Sequence, residues 1–242
     1  MAKIVPVPSE LEVVPKHVGV IMDGNGRWAK KRGLPRKFGH REGVKVYRSI
    51  TRRAKQLGIK FITFYAFSTE NWKRPDDEVE SIMELFEKNL DEIRDFIDEQ
   101  IRVCFIGDRS KLSQSLQKKM LDVERDSEHF QAMTMILAIN YGGQDEICHA
   151  VKEISELVKS GQLDSNDITT DTVSQHLYTR DFPPVDYIIR PSGEMRLSNF
   201  LIWQAAYAEY YFTNILWPDF KDSDFDKAIV EFSNRNRRFG GV

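Results

Sequence analysis

Five short apolar runs recur along the chain: His17 to Met22, Phe61 to Phe67, Val103 to Ile106, Thr134 to Ile139 and Tyr187 to Ile189. They are continuous rather than alternating, which predicts strands covered on both faces. Between them the apolar period changes to that of a helix. Val44, Tyr47, Ile50, Ala54 and Leu57 share one side before Gly58 stops the pattern, and a second set after Pro75 runs from Val79 to Phe96. Further helices are expected over about Ser110 to Glu128, Gln144 to Ser160 and Ser223 to Asn236. Strand and helix in regular succession imply right-handed crossovers and a mostly parallel central β-sheet ringed by helices, an α/β fold. Residues 1–14 lack periodicity and read as a flexible tail. Residues 15–242 show no repeat, low-complexity tract or linker and read as a single domain.

Composition narrows this picture. With 41% hydrophobic residues, 30% charged and a net charge of -2 over 242 residues, the chain can bury a sizeable core and is not a disordered one. Cys104 and Cys148 are the only cysteines, which excludes a disulfide scaffold and fits two free buried thiols in a reducing compartment. No run reads as a targeting or membrane segment, so a cytoplasmic protein is expected. Charge is uneven: Arg27 to Lys60 holds 13 Lys and Arg against Glu42 alone, and Asp76 to Glu99 holds 11 acids against Lys88 and Arg94. Two solvated helix faces of opposite sign account for most of these residues; the sharper reading is that the first segment handles an anion.

Open parallel sheets bind ligands beyond the carboxyl ends of their strands. That rule singles out Asp23 to Gly26, Ser68 to Asn71, Asn140 to Gly143 and Arg190 to Glu194. Gly24 and Gly26 let backbone N–H groups turn toward a ligand at a helix start. An ordinary strand-to-helix turn would look the same, but Arg27, Arg36, His40 and Arg41 follow, and clustered arginines suit a diphosphate. Asp23 among these cations is read as a helix cap, a partner of Arg27, or a ligand for a hard divalent cation shared with a diphosphate. A second anion loop comes later, with Arg190, Ser192, Arg196 and Ser198. Two phosphate sites without a nucleotide fingerprint suggest two phosphorylated substrates.

The segments HVGVIMDGNGRWAKKRG, FGHREG, YAFSTENWKRP, INYGG, IRPSGEMRLSNFLIWQAAYAEYYF, LWPDF and RRFGG, in that order from about Pro15 to Val242, resemble the cis-prenyltransferases, closest among them the bacterial undecaprenyl diphosphate synthases. The resemblance implies a homodimer with a hydrophobic tunnel. It also implies Mg²⁺-dependent, successive addition of isopentenyl diphosphate to farnesyl diphosphate, giving a long polyprenyl diphosphate, the precursor of a cell-wall lipid carrier. Asp23 corresponds to the acid that binds Mg²⁺ and assists diphosphate departure. Gly24, Asn25, Gly26, Arg27, Arg36 and His40 correspond to the allylic diphosphate cradle. Trp28, Phe67, Ser68, Glu70, Asn71, Trp72 and Arg74 correspond to the segment that positions the allylic substrate and its chain. The proton lost after condensation has two candidate acceptors, a diphosphate oxygen and Asn71 with water. Arg190, Arg196 and Ser198 correspond to the isopentenyl diphosphate site, and Glu209 to a carboxylate supporting Mg²⁺ on the dimer side. Arg238 and Gly240 correspond to an element reaching the neighbouring subunit. The resemblance also allows contact with a membrane surface on product release, without a span.

Met83, Phe86, Leu90, Ile93, Met133, Met135 and Leu137 are the expected tunnel walls, though plain core would use the same residues. Two positions depart from many bacterial members: Pro191, where they carry Thr, and Gln144, where they carry Arg. Pro191 removes a backbone donor beside Arg190. Three rival readings stand beside the long-chain enzyme: a short- or medium-chain synthase, a silent partner subunit, and a nucleic-acid-binding protein using residues 27–60. The last leaves Asp23 and the second arginine loop without a purpose.

Overall fold

The computed structural model describes residues 6–9 and 11–235. Its centre is a six-stranded sheet of β1 (His17–Ile21), β2 (Phe61–Ser68), β3 (Arg102–Ile106), β4 (Thr134–Tyr141), β5 (Tyr187–Arg190) and β6 (Glu209–Phe212). The order is β3-β4-β2-β1-β5-β6, and every pairing is parallel. The helices are α1 (Asn25–Lys31), α2 (Arg36–Gln56), α3 (Asp76–Asp98), α4 (Gln114–Ser127), α5 (Gly143–Lys159), α6 (Thr170–Gln175) and α7 (Asp222–Ser233). The five apolar runs are five of these strands. β6 and α6 are additions: β6 is a four-residue edge strand inside an aromatic run, and α6 is shorter than two turns, so neither produces a periodic signal.

Successive strand residues enter opposite cores. Val103, Phe105, Met135, Leu137 and Ile189 join one hydrophobic cluster, while Cys104, Ile106, Ile136, Ala138 and Ile188 join the other. Both faces are therefore covered, as continuous apolar runs require. The cysteines are free, Cys104 buried as expected but Cys148 exposed on α5. Residues 6–9 and 11–14 form no helix or strand, yet they lie against the domain. Arg53 donates to the Pro6 carbonyl, Ser233 accepts from the Glu12 and Val13 N–H groups, and Leu11 and Val14 pack on the core.

The chain leaves β1 toward β2 on one side and places β5 on the other, so the loops after β1 and β5 diverge from neighbouring strands. Such a reversal opens a crevice at the carboxyl ends. α1 is locked there against α2 by missing side chains: a Cβ on Gly39 would lie 2.0 Å from the Asn25 carbonyl oxygen, and one on Gly43 would lie 2.4 Å from Asn25 Oδ1. Trp217, fully buried, closes the same contact by donating from Nε1 to the Gly43 carbonyl at 3.0 Å.

Candidate active site

A cavity of about 650 Å³ opens at this crevice. One end is polar, with Asp23, Asn25, His40, Ser68, Glu70, Asn71, Arg74, Arg190, Arg196, Ser198 and Asn199 on its walls. The other is apolar, between α2, α3 and the sheet, with Val44, Tyr47, Ile82, Leu85, Phe86 and Leu137. Of the expected tunnel walls, Phe86 and Leu137 line it. Leu90, Ile93, Met133 and Met135 are instead fully enclosed in the core, and Met83 packs partly buried against it. Among the described residues no helix is long and apolar enough to cross a membrane.

Asp23 lies just past β1, and Gly24, at φ 105°, turns the chain into α1. That left-handed conformation favours glycine. The Asp23 Oδ2 atom is 3.1 Å from Arg27 Nη2 and 3.0 Å from Arg190 Nη2. Desolvation pushes this carboxyl up, but hydrogen bonds from Arg190 and Ser192 and the nearby Arg27 charge outweigh it and hold the group below its ordinary value. Asp23 is thus ionised at neutral pH.

Arg190, only 3% exposed, also donates to Ser198 Oγ at 2.7 Å and to the Arg196 carbonyl, so one buried guanidinium organises its whole loop. Arg27 reaches into that loop as well, donating to the Ser192 carbonyl at 2.9 Å, Ser192 Oγ at 2.6 Å and Glu194 Oε1 at 3.1 Å. Glu194 also pairs with Arg196. Residues assigned by sequence to two separate anion loops therefore share one wall. Pro191 costs this loop little, because the donors that tie it down are Ser192 N–H to the Ile215 carbonyl and Gly193 N–H to the Thr213 carbonyl.

A second basic group faces the first. Arg36, Arg74 and His40 converge on Glu78 at 3.2, 3.0 and 3.6 Å. Burial and the charge of Arg74 lower the His40 pKa, against the pull of Glu78. In sequence Glu78 sits unmarked within an acidic run, although its spacing of four from Arg74 is a usable signal at a helix start. The Glu78 side chain is 9% exposed. This largely enclosed carboxylate balances part of the charge of three basic groups.

Several expected residues sit off the cavity walls, and Asn71, which is on them, has its side chain engaged in a turn. Gly26 lies under the Arg36 guanidinium, where a Cβ would approach Nε at 2.7 Å. Trp28 is held outside the cavity walls, with its Nε1 2.7 Å from Asp219 Oδ1 and Arg32 stacked on its ring at 4.1 Å. Trp72 packs edge-on to Phe67 and donates to Asn140 Oδ1 at 2.7 Å. Asn71 Oδ1 accepts the Ser68 N–H at 3.1 Å, which fixes the turn after β2. Glu209 stands at the opposite end of the sheet: it pairs in register with Tyr187, three residues before Arg190, and bonds Arg235 at 2.7 Å. Within one chain it is not beside Asp23. Arg238 and Gly240 lie outside the described residues.

This geometry gains its context from similarity. The family model for undecaprenyl diphosphate synthase matches residues 21–240. The chain belongs to the undecaprenyl diphosphate synthase family. It is 49% identical over 232 residues to an isoprenyl transferase of Clostridium perfringens, covering 95% of this chain and 91% of that one. It is 47% identical over 230 residues to a farnesyl-diphosphate-specific ditrans,polycis-undecaprenyl-diphosphate synthase of Haemophilus influenzae, covering 95% and 96%. The crystal structure of lavandulyl diphosphate synthase from Lavandula x intermedia with dimethylallyl diphosphate superposes with a TM-score of 0.90 at 40% identity, covering 95% of this chain and all of that one. The chain is a prenyl-transferring enzyme of this family, and its parallel sheet ringed by helices is the family's architecture.

A hard divalent cation fits the polar end in one way. Among the described residues no group of three His, Cys, Asp or Glu side chains could hold a metal. Asp23 is ionised and at the cavity wall, and Mg²⁺ commonly takes one or two carboxylates and completes its shell with substrate phosphate and water. The donor set suits a metal carried in with a diphosphate, not an all-protein cage.

Proposed function

We propose that the chain elongates an allylic diphosphate, farnesyl diphosphate, with successive isopentenyl diphosphate units to give a long cis-polyprenyl diphosphate. The supporting observation is one cavity that is arginine-lined at one end and apolar at the other, with an ionised Asp23 at the polar end. The farnesyl-specific activity named for the Haemophilus influenzae relative supports the choice of first substrate.

In this reading the allylic diphosphate lies over the start of α1 against Arg36, His40 and Arg74, displacing or sharing Glu78, and its chain enters the apolar end. Isopentenyl diphosphate lies against Arg190, Arg196 and Ser198. Asp23 and the substrate oxygens would hold Mg²⁺, which when bound neutralises charge developing on the leaving diphosphate. Arg27, Arg36 and the N–H groups at the start of α1 stabilise that same charge. The allylic C–O bond breaks with its electron pair on diphosphate, and the isopentenyl double bond attacks the freed carbon. A proton then leaves the adduct and forms the new cis double bond. Asn71 is an amide whose oxygen already accepts the Ser68 N–H. It orients the acceptor, while a diphosphate oxygen takes the proton. Each added unit brings five carbons, whose burial contributes roughly 3–4 kcal/mol at about 0.8 per methylene. That gain draws the product inward.

Glu209, Arg238 and Gly240 serve the neighbouring subunit of a homodimer in this reading, and the product leaves by contact with a membrane surface. A short-chain product is the second reading, favoured by the likeness to lavandulyl diphosphate synthase. Incubating the protein with farnesyl diphosphate, isotopic isopentenyl diphosphate and Mg²⁺, then resolving products by mass spectrometry, tests both. A ladder rising well past twenty carbons supports long-chain synthesis. A single short product favours the second reading, and no incorporation defeats both.

A further inference from the structure

Three loops meet at the carboxyl rim of the sheet: the turn after β2, the start of α5 and the loop after β5. One residue joins all three. Asn199 Nδ2 donates to Glu70 Oε1 at 2.9 Å in the first. Its Oδ1 accepts from Gln144 N–H at 2.8 Å in the second, and its carbonyl accepts from Gly143 N–H at 2.7 Å. Its own backbone belongs to the third, directly after Ser198, whose hydroxyl accepts from Arg190.

The surrounding residues make room for this junction. Ser198 and Asn199 have φ of 50° and 64°, a left-handed pair that Asn tolerates better than most residues. A Cβ on Gly142 would stand 2.7 Å from Asn199 Nδ2, so only glycine lets the amide approach. Thr69 Oγ1 donates to Asp145 Oδ2 at 3.0 Å and adds a second tie between the first two loops. Gln144 enters through its backbone N–H, so its side chain is not needed for the junction.

We propose that Asn199 is a positioning residue that latches the allylic-side turn at Glu70 to the isopentenyl-side loop at Ser198, so that the two substrate subsites keep a fixed separation. The inference rests on the proposed assignment of those subsites. The Asn amide donates from Nδ2 to a carboxylate and accepts at Oδ1 from an N–H at once, through two separate atoms. Aspartate keeps the acceptor for Gln144 N–H and the tolerance for positive φ, but sets a second negative charge against Glu70.

The test is a double-variant cycle of Asn199→Asp and Glu70→Gln, because with both changes the glutamine amide can donate to the new carboxylate and rebuild the latch. Asn199→Asp should raise KM for isopentenyl diphosphate about tenfold when residue 70 is Glu, and less than about twofold when it is Gln. Amide hydrogen exchange over residues 66–74 should quicken in Asn199→Asp and return toward the wild-type rate in the double variant. Asn199→Gly, which keeps the backbone conformation and removes both side-chain bonds, should show the same KM rise with no recovery from Glu70→Gln. Equal penalties in the two backgrounds, or unchanged exchange over 66–74, overturn the latch. Exchange is read without turnover, so a wild-type protein that fails to elongate farnesyl diphosphate defeats the proposed function while exchange still decides the latch.

Discussion

Arg190 reaches Asp23 across 167 positions of sequence, its Nη2 3.0 Å from Oδ2. The two leave adjacent parallel strands at the same end, since Val20 pairs with Ile189. The guanidinium is buried and the carboxylate is half-buried, so each sets the other's charge state, and the desolvation that would protonate Asp23 is overcome. An acid kept ionised among arginines can share a cation with a diphosphate and still leave those arginines to bind it.

Asp23→Ala separates the two jobs of this residue. Because its partner Arg190 is buried, losing Asp23 as an ion pair costs more stability than the roughly 1 kcal/mol of a surface pair. If Asp23 also acts at ionisation, kcat falls at least about a hundredfold, the scale of one preorganised electrostatic contact. Farnesyl diphosphate affinity should hold or rise, because Arg36, His40 and Arg74 remain and one negative charge is removed. Measuring kcat and farnesyl diphosphate Kd across a Mg²⁺ titration checks this, and a defect confined to affinity would contradict the role.

Arg196 lies more exposed and, among the described residues, its guanidinium pairs with Glu194 alone. Arg196→Ala should raise KM for isopentenyl diphosphate by about tenfold or more, the loss of one charge-assisted contact of about 1.5–3 kcal/mol. KM for farnesyl diphosphate should barely move. Steady-state kinetics with each substrate varied in turn decides it, and equal effects would refute the assignment.

Gly39→Ala drives a methyl fixed to one helix against the backbone carbonyl of Asn25, where nothing can rotate away. Overpacking of this kind costs about 1–3 kcal/mol. The thermal midpoint should fall, and α1 should shift with Asn25 and Arg27, weakening farnesyl diphosphate binding as well. A variant with wild-type stability and affinity would show that the two helices are not locked by this contact.

Glu146 gives a pH signature. Its fully buried carboxyl accepts from Tyr141 Oη at 2.6 Å and Gln204 Nε2 at 2.8 Å, and from no cation among the described residues. Burial raises its pKa above the ordinary 4.5, and these donors offset that only in part. The folded state therefore keeps a proton that the unfolded chain has released. The stability Glu146 contributes is fully present below 4.5 and is lost as pH rises through the raised value. Glu146→Gln cannot titrate, so the stability difference between wild type and variant should drift against the wild type over that window and then level off. Urea midpoints of both proteins at stepped pH check the sign.

Much of the frame is legible without coordinates. Five of six strands and the long helices announce themselves because continuous apolar runs and 3.6-residue periods record burial directly. Asp23, Arg27, Arg190 and Arg196 stand out because charged residues in or beside glycine-containing loops after strands are rarely needed for packing. Adjacency and enclosure are what sequence does not supply. Leu90, Ile93, Met133 and Met135 read the same as Phe86 and Leu137, yet only the latter two line the cavity, because hydrophobicity reports that a side chain leaves water and not what it faces. Glu78 is one acid in a long acidic run until α3 packs beside α2 and turns it onto Arg36, His40 and Arg74. Asn199 carries no signal in sequence because its partners, Glu70 and Gln144, lie 129 and 55 positions away. Those distances collapse only when the order of strands in the sheet is set, and that order depends on how all the apolar faces bury one another at once.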